Sequence, residues 1–216
     1  MAEKFVDRIK DNVVVLDGAM GTMLYAKGVY INRCYDELNL SAPDMVQEVH
    51  ETYLAAGAEV LETNTFGANP VKLEPHGLGE QVEELNQRGA ELAKAVAGDR
   101  AWVAGSVGPL GKPLSPIGKI SVARAIEYYQ RQIKGLVAGG ADIILIETVS
   151  DLQEISAAVQ AARKECDLPI ITCATFPAEG RTLYGYTPVE VMTAMSRQGV
   201  DVVGANCSEG PHDMLE

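Results

Sequence analysis

Short apolar runs alternate with longer amphipathic stretches along nearly the whole chain, and this alternation restricts the fold more than any other feature. The runs are Val13-Val14-Val15-Leu16, Ala58 to Thr63, Ala101 to Ser106, Ala141 to Thr148, Pro169 to Thr175 and Val200 to Asn206. Near-continuous apolar segments bounded by turn residues are what strands covered on both faces require, which points to a parallel α/β sheet. Between them the spacing predicts helices over Pro43–Ala56, Glu80–Ala97, Ser121–Ala138, Asp151–Cys166 and Pro188–Gln198. Ser41 is the expected cap of the first, and glycines close several of them. Pro211 reads as the first turn of a further helix.

A weak internal repeat runs through this pattern. Gly57-Ala58-Glu59, Gly140-Ala141-Asp142 and Gly199-Val200-Asp201 each place a helix-ending glycine, a small residue and an acid ahead of a strand. One βα unit per roughly 35–45 residues predicts a (β/α)8 TIM barrel with about six of its eight units present. A doubly wound open sheet is the competitor, but no G-x-G-x-x-G follows the first strand. Residues 1–216 are expected to form one barrel domain, incomplete at its C-terminal end.

A net charge of −12 argues against a nucleic-acid backbone as partner and against an anionic membrane surface. No apolar run is long enough to span a membrane, and the N-terminus lacks the apolar core of a signal peptide. Cys34, Cys166, Cys173 and Cys207 are widely spaced without a CxxC, so a disulfide framework is not expected and a cytoplasmic location fits.

The C-terminal ends of the runs carry Asp17, Glu62-Thr63-Asn64, Ser106, Glu147-Thr148, Thr175 and Asn206-Cys207. In a parallel barrel all of these converge on one mouth, whatever their separation in sequence. Taken singly, each could merely cap a helix or turn the chain; together they predict a shared site. Glu147 ends the most apolar run, where a carboxylate needs a cation, from a ligand ammonium or from a protein arginine. Asp17-Gly18-Ala19 puts an acid beside small residues whose backbone N–H groups could cradle a carboxylate. An acid for the amine and backbone donors for the carboxylate would hold an α-amino acid.

Cys207 adds a soft ligand or nucleophile to this mouth, next to Asn206. As a nucleophile it lacks an evident base, since His50, His76 and His212 fall in a helix, a loop and the terminal segment. As a metal ligand it lacks partners: Cys166 is expected at the opposite rim, Cys173 within a strand, and Cys34 in a packing role. The metal site is incomplete within the chain.

These segments resemble the homocysteine S-methyltransferase family. The likeness rests on Asp17 to Thr22, Glu62 to Asn69, Gly105 to Pro109, Glu147-Thr148 and Gly204 to Pro211, in collinear order over essentially the whole chain. Ile31 to Asn39 is similar to bacterial two-domain members that join this module to a methylenetetrahydrofolate reductase. The resemblance implies a (β/α)8 barrel holding Zn²⁺ through three cysteine thiolates, one of them Cys207. The other two would form an adjacent pair in a G-G-C-C-G-T motif, which this sequence does not contain. It further implies L-homocysteine as substrate, its amino group on Asp17 and Glu147, its carboxylate on backbone N–H groups around Gly18 and Ala19, and Asn206 in the same pocket. The methyl donor would be methyltetrahydrofolate or methylcobalamin supplied through a folate, cobalamin or reductase domain, with betaine or S-methylmethionine as alternatives. With one zinc ligand of three, this chain is expected to bind zinc poorly and to show little activity. The alternative is a non-catalytic amino-acid-binding or regulatory module.

Overall fold

The computed structural model describes residues 3–177, 180–208, 210 and 212. In chain order the elements are α1 (Phe5–Asp11), α2 (Met20–Ala26), α3 (Leu38–Ser41), α4 (Pro43–Ala55), β1 (Val60–Glu62), α5 (Pro70–Leu73), α6 (Val82–Ala97), β2 (Trp102–Val107), α7 (Val122–Ala138), β3 (Ile143–Val149), α8 (Leu152–Glu165), β4 (Ile170–Ala174), α9 (Pro188–Ser196) and β5 (Val202–Ala205). All strand pairs are parallel and the spatial order is β1-β2-β3-β4-β5. A doubly wound sheet reverses its strand order at a switch point. This sheet never reverses, which is the barrel progression.

Val13–Leu16 departs from expectation. It is not a buried strand: a single parallel bridge joins Leu16 to Val60, and Val13 is 88% and Val15 53% exposed. The segment bonds along β1 through Glu59 N, Val60 N and Asp17 N, but its outer side meets no strand among the described residues. The described sheet therefore holds five strands and one bridged segment. At the other edge β5 is only partly buried along its length. Ser41 does not cap α4 either; it lies in α3, and α4 starts behind Ala42 with Pro43 in its first turn and no side-chain cap. Ser121, Asp151 and Thr187 do cap α7, α8 and α9. The helix expected from Pro211 lies outside the described residues.

Period-two alternation divides the strand residues between two layers. Val60, Trp102, Ala104, Ile143, Leu145 and Ile171 form the inner layer. Phe5 of α1 closes its base, meeting Trp102 edge-on at 5.7 Å between ring centroids. Ile144 and Ile146 face outward to Ile133, Leu136 and Val159 of the helices.

The repeated acids act at this base. Glu59 accepts from Val15 N at 3.3 Å, Asp142 from Val103 N at 2.8 Å and Asp201 from Ile170 N at 2.8 Å. Each thus takes a backbone N–H from the neighbouring, preceding segment of the sheet. Each also pairs with a base on a helix: Arg8–Glu59 at 3.1 Å, Lys94–Asp142 at 2.7 Å and Arg163–Asp201 at 3.2 Å. The internal repeat is a register clamp, used three times.

Candidate active site

Continuing the inward parity of the strands by two residues leads from Val60 to Glu62, from Ala104 to Ser106, from Leu145 to Glu147 and from Gly204 to Asn206. The alternation that builds the inner core therefore delivers polar groups to the C-terminal mouth. These side chains line a cleft of about 860 Å³, together with Asp17, Gly18, Ala19, Thr148 and Cys207.

Glu147 is the most constrained of them. Ser106 Oγ donates to its Oε1 at 2.5 Å and Asn206 Nδ2 to its Oε2 at 3.0 Å. Asn206 also accepts from Thr148 N and donates to Thr148 Oγ1, both at 3.0 Å. This clamp holds Thr148 at φ 59°, a left-handed conformation that a β-branched residue rarely adopts and that costs about 1–3 kcal/mol. Cys207 has φ 49°, which takes the exposed thiol out of the strand's alternation at the cleft wall.

Asp17 and Glu62 face the same space. Asp17 Oδ2 accepts from Glu62 N at 3.0 Å, while its Oδ1 is buried without a hydrogen-bond partner. Among the described residues none of the three carboxylates makes an ion pair. Burial, opposed by the Glu62 N–H and assisted by the Glu147 charge, pushes Asp17 up to about 7. Burial followed by the Glu147 and Asp17 charges raises Glu62. Burial also raises Glu147, against the Ser106 and Asn206 hydrogen bonds that favour its charged form. Three acids crowded without a cation, one with a vacant buried acceptor, suit a ligand ammonium.

Gly18 is required by packing: a Cβ there would come within 2.8 Å of Tyr53 Cε1, and Tyr53 Oη donates to Ala19 O at 3.1 Å. Thr63 and Asn64 keep the structural role. Thr63 Oγ1 meets Thr65 Oγ1, and Asn64 Nδ2 donates to Tyr35 O at 2.7 Å and Asn39 Oδ1 at 3.1 Å. Thr175 Oγ1 likewise meets Ser150 Oγ at 2.7 Å.

A profile of the family described as Homocysteine S-methyltransferase matches residues 14–216. The chain belongs to the homocysteine S-methyltransferase family. The methionine synthase of Mycobacterium tuberculosis (strain ATCC 25618 / H37Rv) is 34% identical over 98% of this chain and 19% of its own length. That of Mycobacterium leprae (strain TN) is 32% identical over the same shares. The chain thus spans about a fifth of the length of these curated relatives. In fold, it is similar to the Escherichia coli homocysteine methyltransferase MmuM. Against the apo form the TM-score is 0.76 at 23% identity, over 98% of this chain and 77% of that one. Against the metallated form it is 0.70 at 21%, over 95% and 96%.

The zinc site implied by the resemblance has one of its expected residues, Cys207, at this cleft. Among the described residues no group of three His, Cys, Asp or Glu side chains could hold a metal ion. Cys207 stands at the cleft, but Cys173 is pushed up to about 12 and Cys34 to about 11, both chiefly by burial, which favours thiol over metal-binding thiolate. Cys34 Sγ also lies 3.6 Å from Asp36 Oδ2, beside an apolar cluster that includes Leu40 and Leu78. Cys166 closes α8 at the opposite rim, as expected. His50 is buried in α4 with both ring nitrogens unpartnered, and burial lowers it to about 4.

Of the expected site residues, Asp17, Gly18, Ala19, Glu147, Asn206 and Cys207 all line the one cleft. Sequence reasoning did not single out Glu62 as a third acid of the pocket, although its parity with Val60 carried the signal. It also missed Tyr53 behind Gly18 and Lys72 at the cleft, where no strand pattern points.

Proposed function

We propose that this chain is the homocysteine-binding part of a methyltransferase that converts homocysteine to methionine. The observation that carries this reading is the continuity of the Asn206-Cys207 peptide with the acid pocket. Asn206 holds Glu147, and the next residue offers a thiol at the same cleft wall. The substrate ammonium sits among Asp17, Glu62 and Glu147 and satisfies Asp17 Oδ1; its carboxylate meets the backbone around Gly18 and Ala19. The side-chain sulfur then extends toward Cys207; its proton passes to solvent, its lone pair forms the new S–CH3 bond, and the donor's bond to that methyl breaks to release the demethylated donor.

In the complete protein, zinc would stabilise the substrate sulfur as thiolate, with Cys207 as one ligand. The described residues do not complete that site, so no step is routed through the metal. The donor in this reading is methyltetrahydrofolate or methylcobalamin carried by another domain of a longer protein, and the setting is cytoplasmic. A second reading, a non-catalytic amino-acid-binding module, is favoured by the lack of a three-ligand metal group among the described residues.

Calorimetry of the 216-residue chain with homocysteine, with and without zinc, tests both. We expect homocysteine to bind and Asp17→Asn with Glu147→Gln to abolish binding. Binding that is independent of zinc and unaffected by Cys207→Ser supports the module. No binding of homocysteine under either condition refutes the pocket assignment. Metal analysis giving about one equivalent of zinc in the purified chain would overturn the incompleteness of the metal site.

A further inference from the structure

The cleft gathers two kinds of charge. The strand ends carry Asp17, Glu62 and Glu147, while the loops and α5 contribute Arg33, Lys72 and His76, along with Phe66 and the buried Asp36. A volume of about 860 Å³ lies in the range that drug-sized ligands occupy, so a small amino acid at the strand ends leaves the remainder open.

Lys72 is the decisive group there. Its Nζ lies 4.5 Å from the centroid of the Phe66 ring. Among the described residues it makes no ion pair. Burial lowers its pKa and the Asp36 and Glu154 charges oppose that; both oxygens of Asp36 and Oε1 of Glu154 are hydrogen-bonded to other groups. Asp36 accepts from Gly67 N at 2.9 Å and from Cys34 Sγ; Glu154 accepts from Leu110 N at 2.7 Å and Tyr129 Oη at 2.9 Å. The lysine stem runs past Gly111, where a Cβ would stand 3.2 Å from Lys72 Cε. Phe66 is confined too, since a Cβ on Gly108 would come within 2.6 Å of its ring.

We propose that Lys72, seated on Phe66, is the donor-selecting residue of this cleft: it repels methyl donors with a cationic head and receives an anionic group of the donor. The inference rests on the function proposed above and deepens it. An aromatic face is how a protein receives a sulfonium or quaternary ammonium group. Here the chain's own ammonium already covers Phe66, and a second cation would meet like charge. A donor bearing carboxylate or phosphate finds instead a cation without an ion-pair partner and a ring to lie beside.

The test is calorimetric titration of the full chain, saturated with homocysteine, using four probes. Methyltetrahydrofolate carries carboxylates and methylcobalamin a phosphodiester, whereas trimethylsulfonium and tetramethylammonium are cationic methyl compounds with no anionic group. We expect at least one anionic probe to bind tenfold or more tightly than either cationic one, with affinity falling as salt rises. Which anionic probe binds separates the carboxylate from the phosphate source. Lys72→Met should erase most of the preference and its salt dependence, and Lys72→Arg should restore both. Thermal unfolding verifies that the variants fold, and Lys72→Gln replaces the methionine variant if that one does not. Equal affinity for cationic and anionic probes overturns the proposal. So does a preference that survives removal of the charge, or the binding of homocysteine with no anionic probe following. Failure of homocysteine itself to bind refutes the functional reading instead, which separates the two failures.

Discussion

Replacing Glu62 by Gln should make the empty protein more stable and the liganded protein less so. The carboxyl titrates at 4.5 when unperturbed, and burial with the adjoining Glu147 and Asp17 charges raises it in the folded state to about 9. The folded protein therefore binds more protons than the unfolded chain between these values, and stability falls as pH rises through that window. From 4.5 to pH 7, at ~1.36 kcal/mol per unit, the penalty has a ceiling of about 3 kcal/mol. Partial exposure and protonation of the neighbouring acids reduce this, so we expect Glu62→Gln to gain about 1–2 kcal/mol at pH 7. At pH 4 the gain should vanish, because both states then carry a protonated acid. Urea unfolding at the two pH values measures the difference. Repeating the pH 7 series with saturating homocysteine should show the wild type overtaking the variant, since a ligand that binds the folded wild type more tightly stabilises it more. A variant that is destabilised at pH 7, or one whose advantage persists at pH 4, would refute the reasoning.

Three further outcomes follow from the same structure. Asp142→Ala leaves Val103 N–H buried without a partner and should cost about 2–3 kcal/mol, against about 0.5 kcal/mol for Lys94→Ala, whose ion pair is solvent-screened; equal losses in urea unfolding would mean the ion pair, not the backbone bond, holds the register. His50 is lowered from 6.5 to about 4 by burial. Its contribution is complete above 6.5 and is lost as pH falls toward 4, by about 3 kcal/mol, and His50→Leu should flatten that acid limb of the stability profile. Asn206→Ala removes the donor to Glu147 and both contacts to Thr148, so homocysteine affinity should fall about tenfold or more in a titration.

The barrel progression was legible because it depends on pattern. Apolar runs separated by capped helices leave little alternative to consecutive parallel strands, and Ser121 and Asp151 cap the helices where their position in the sequence indicates. The pattern failed at Val13–Leu16, whose valines satisfy strand propensity but lie at a sheet edge with no outer partner among the described residues. Propensity records what a residue tolerates, whereas burial depends on what lies beside it. The repeated acid before the strands was visible as a motif, yet its purpose was not, because the N–H it accepts from belongs to the neighbouring segment of the sheet.

The site divides in the same way. Asp17, Glu147, Asn206 and Cys207 end apolar runs and could be located by counting. Lys72 could not, since it belongs to the short helix α5, which Asn69 caps through its side chain and which lies outside the strand pattern. Nor could the sequence rank Thr63 and Asn64 below Glu62, although all three share one run. The structure separates them by their hydrogen bonds: the first two spend their polar atoms on the protein, and Glu62 keeps its carboxylate for the cleft. Unspent polarity marks the pocket. Among the described residues Asp17 Oδ1 has no hydrogen-bond donor and Lys72 makes no ion pair, and both line a common space. A zwitterionic substrate at the acids and an anionic donor at Lys72 would satisfy both, and neither ligand alone would do so.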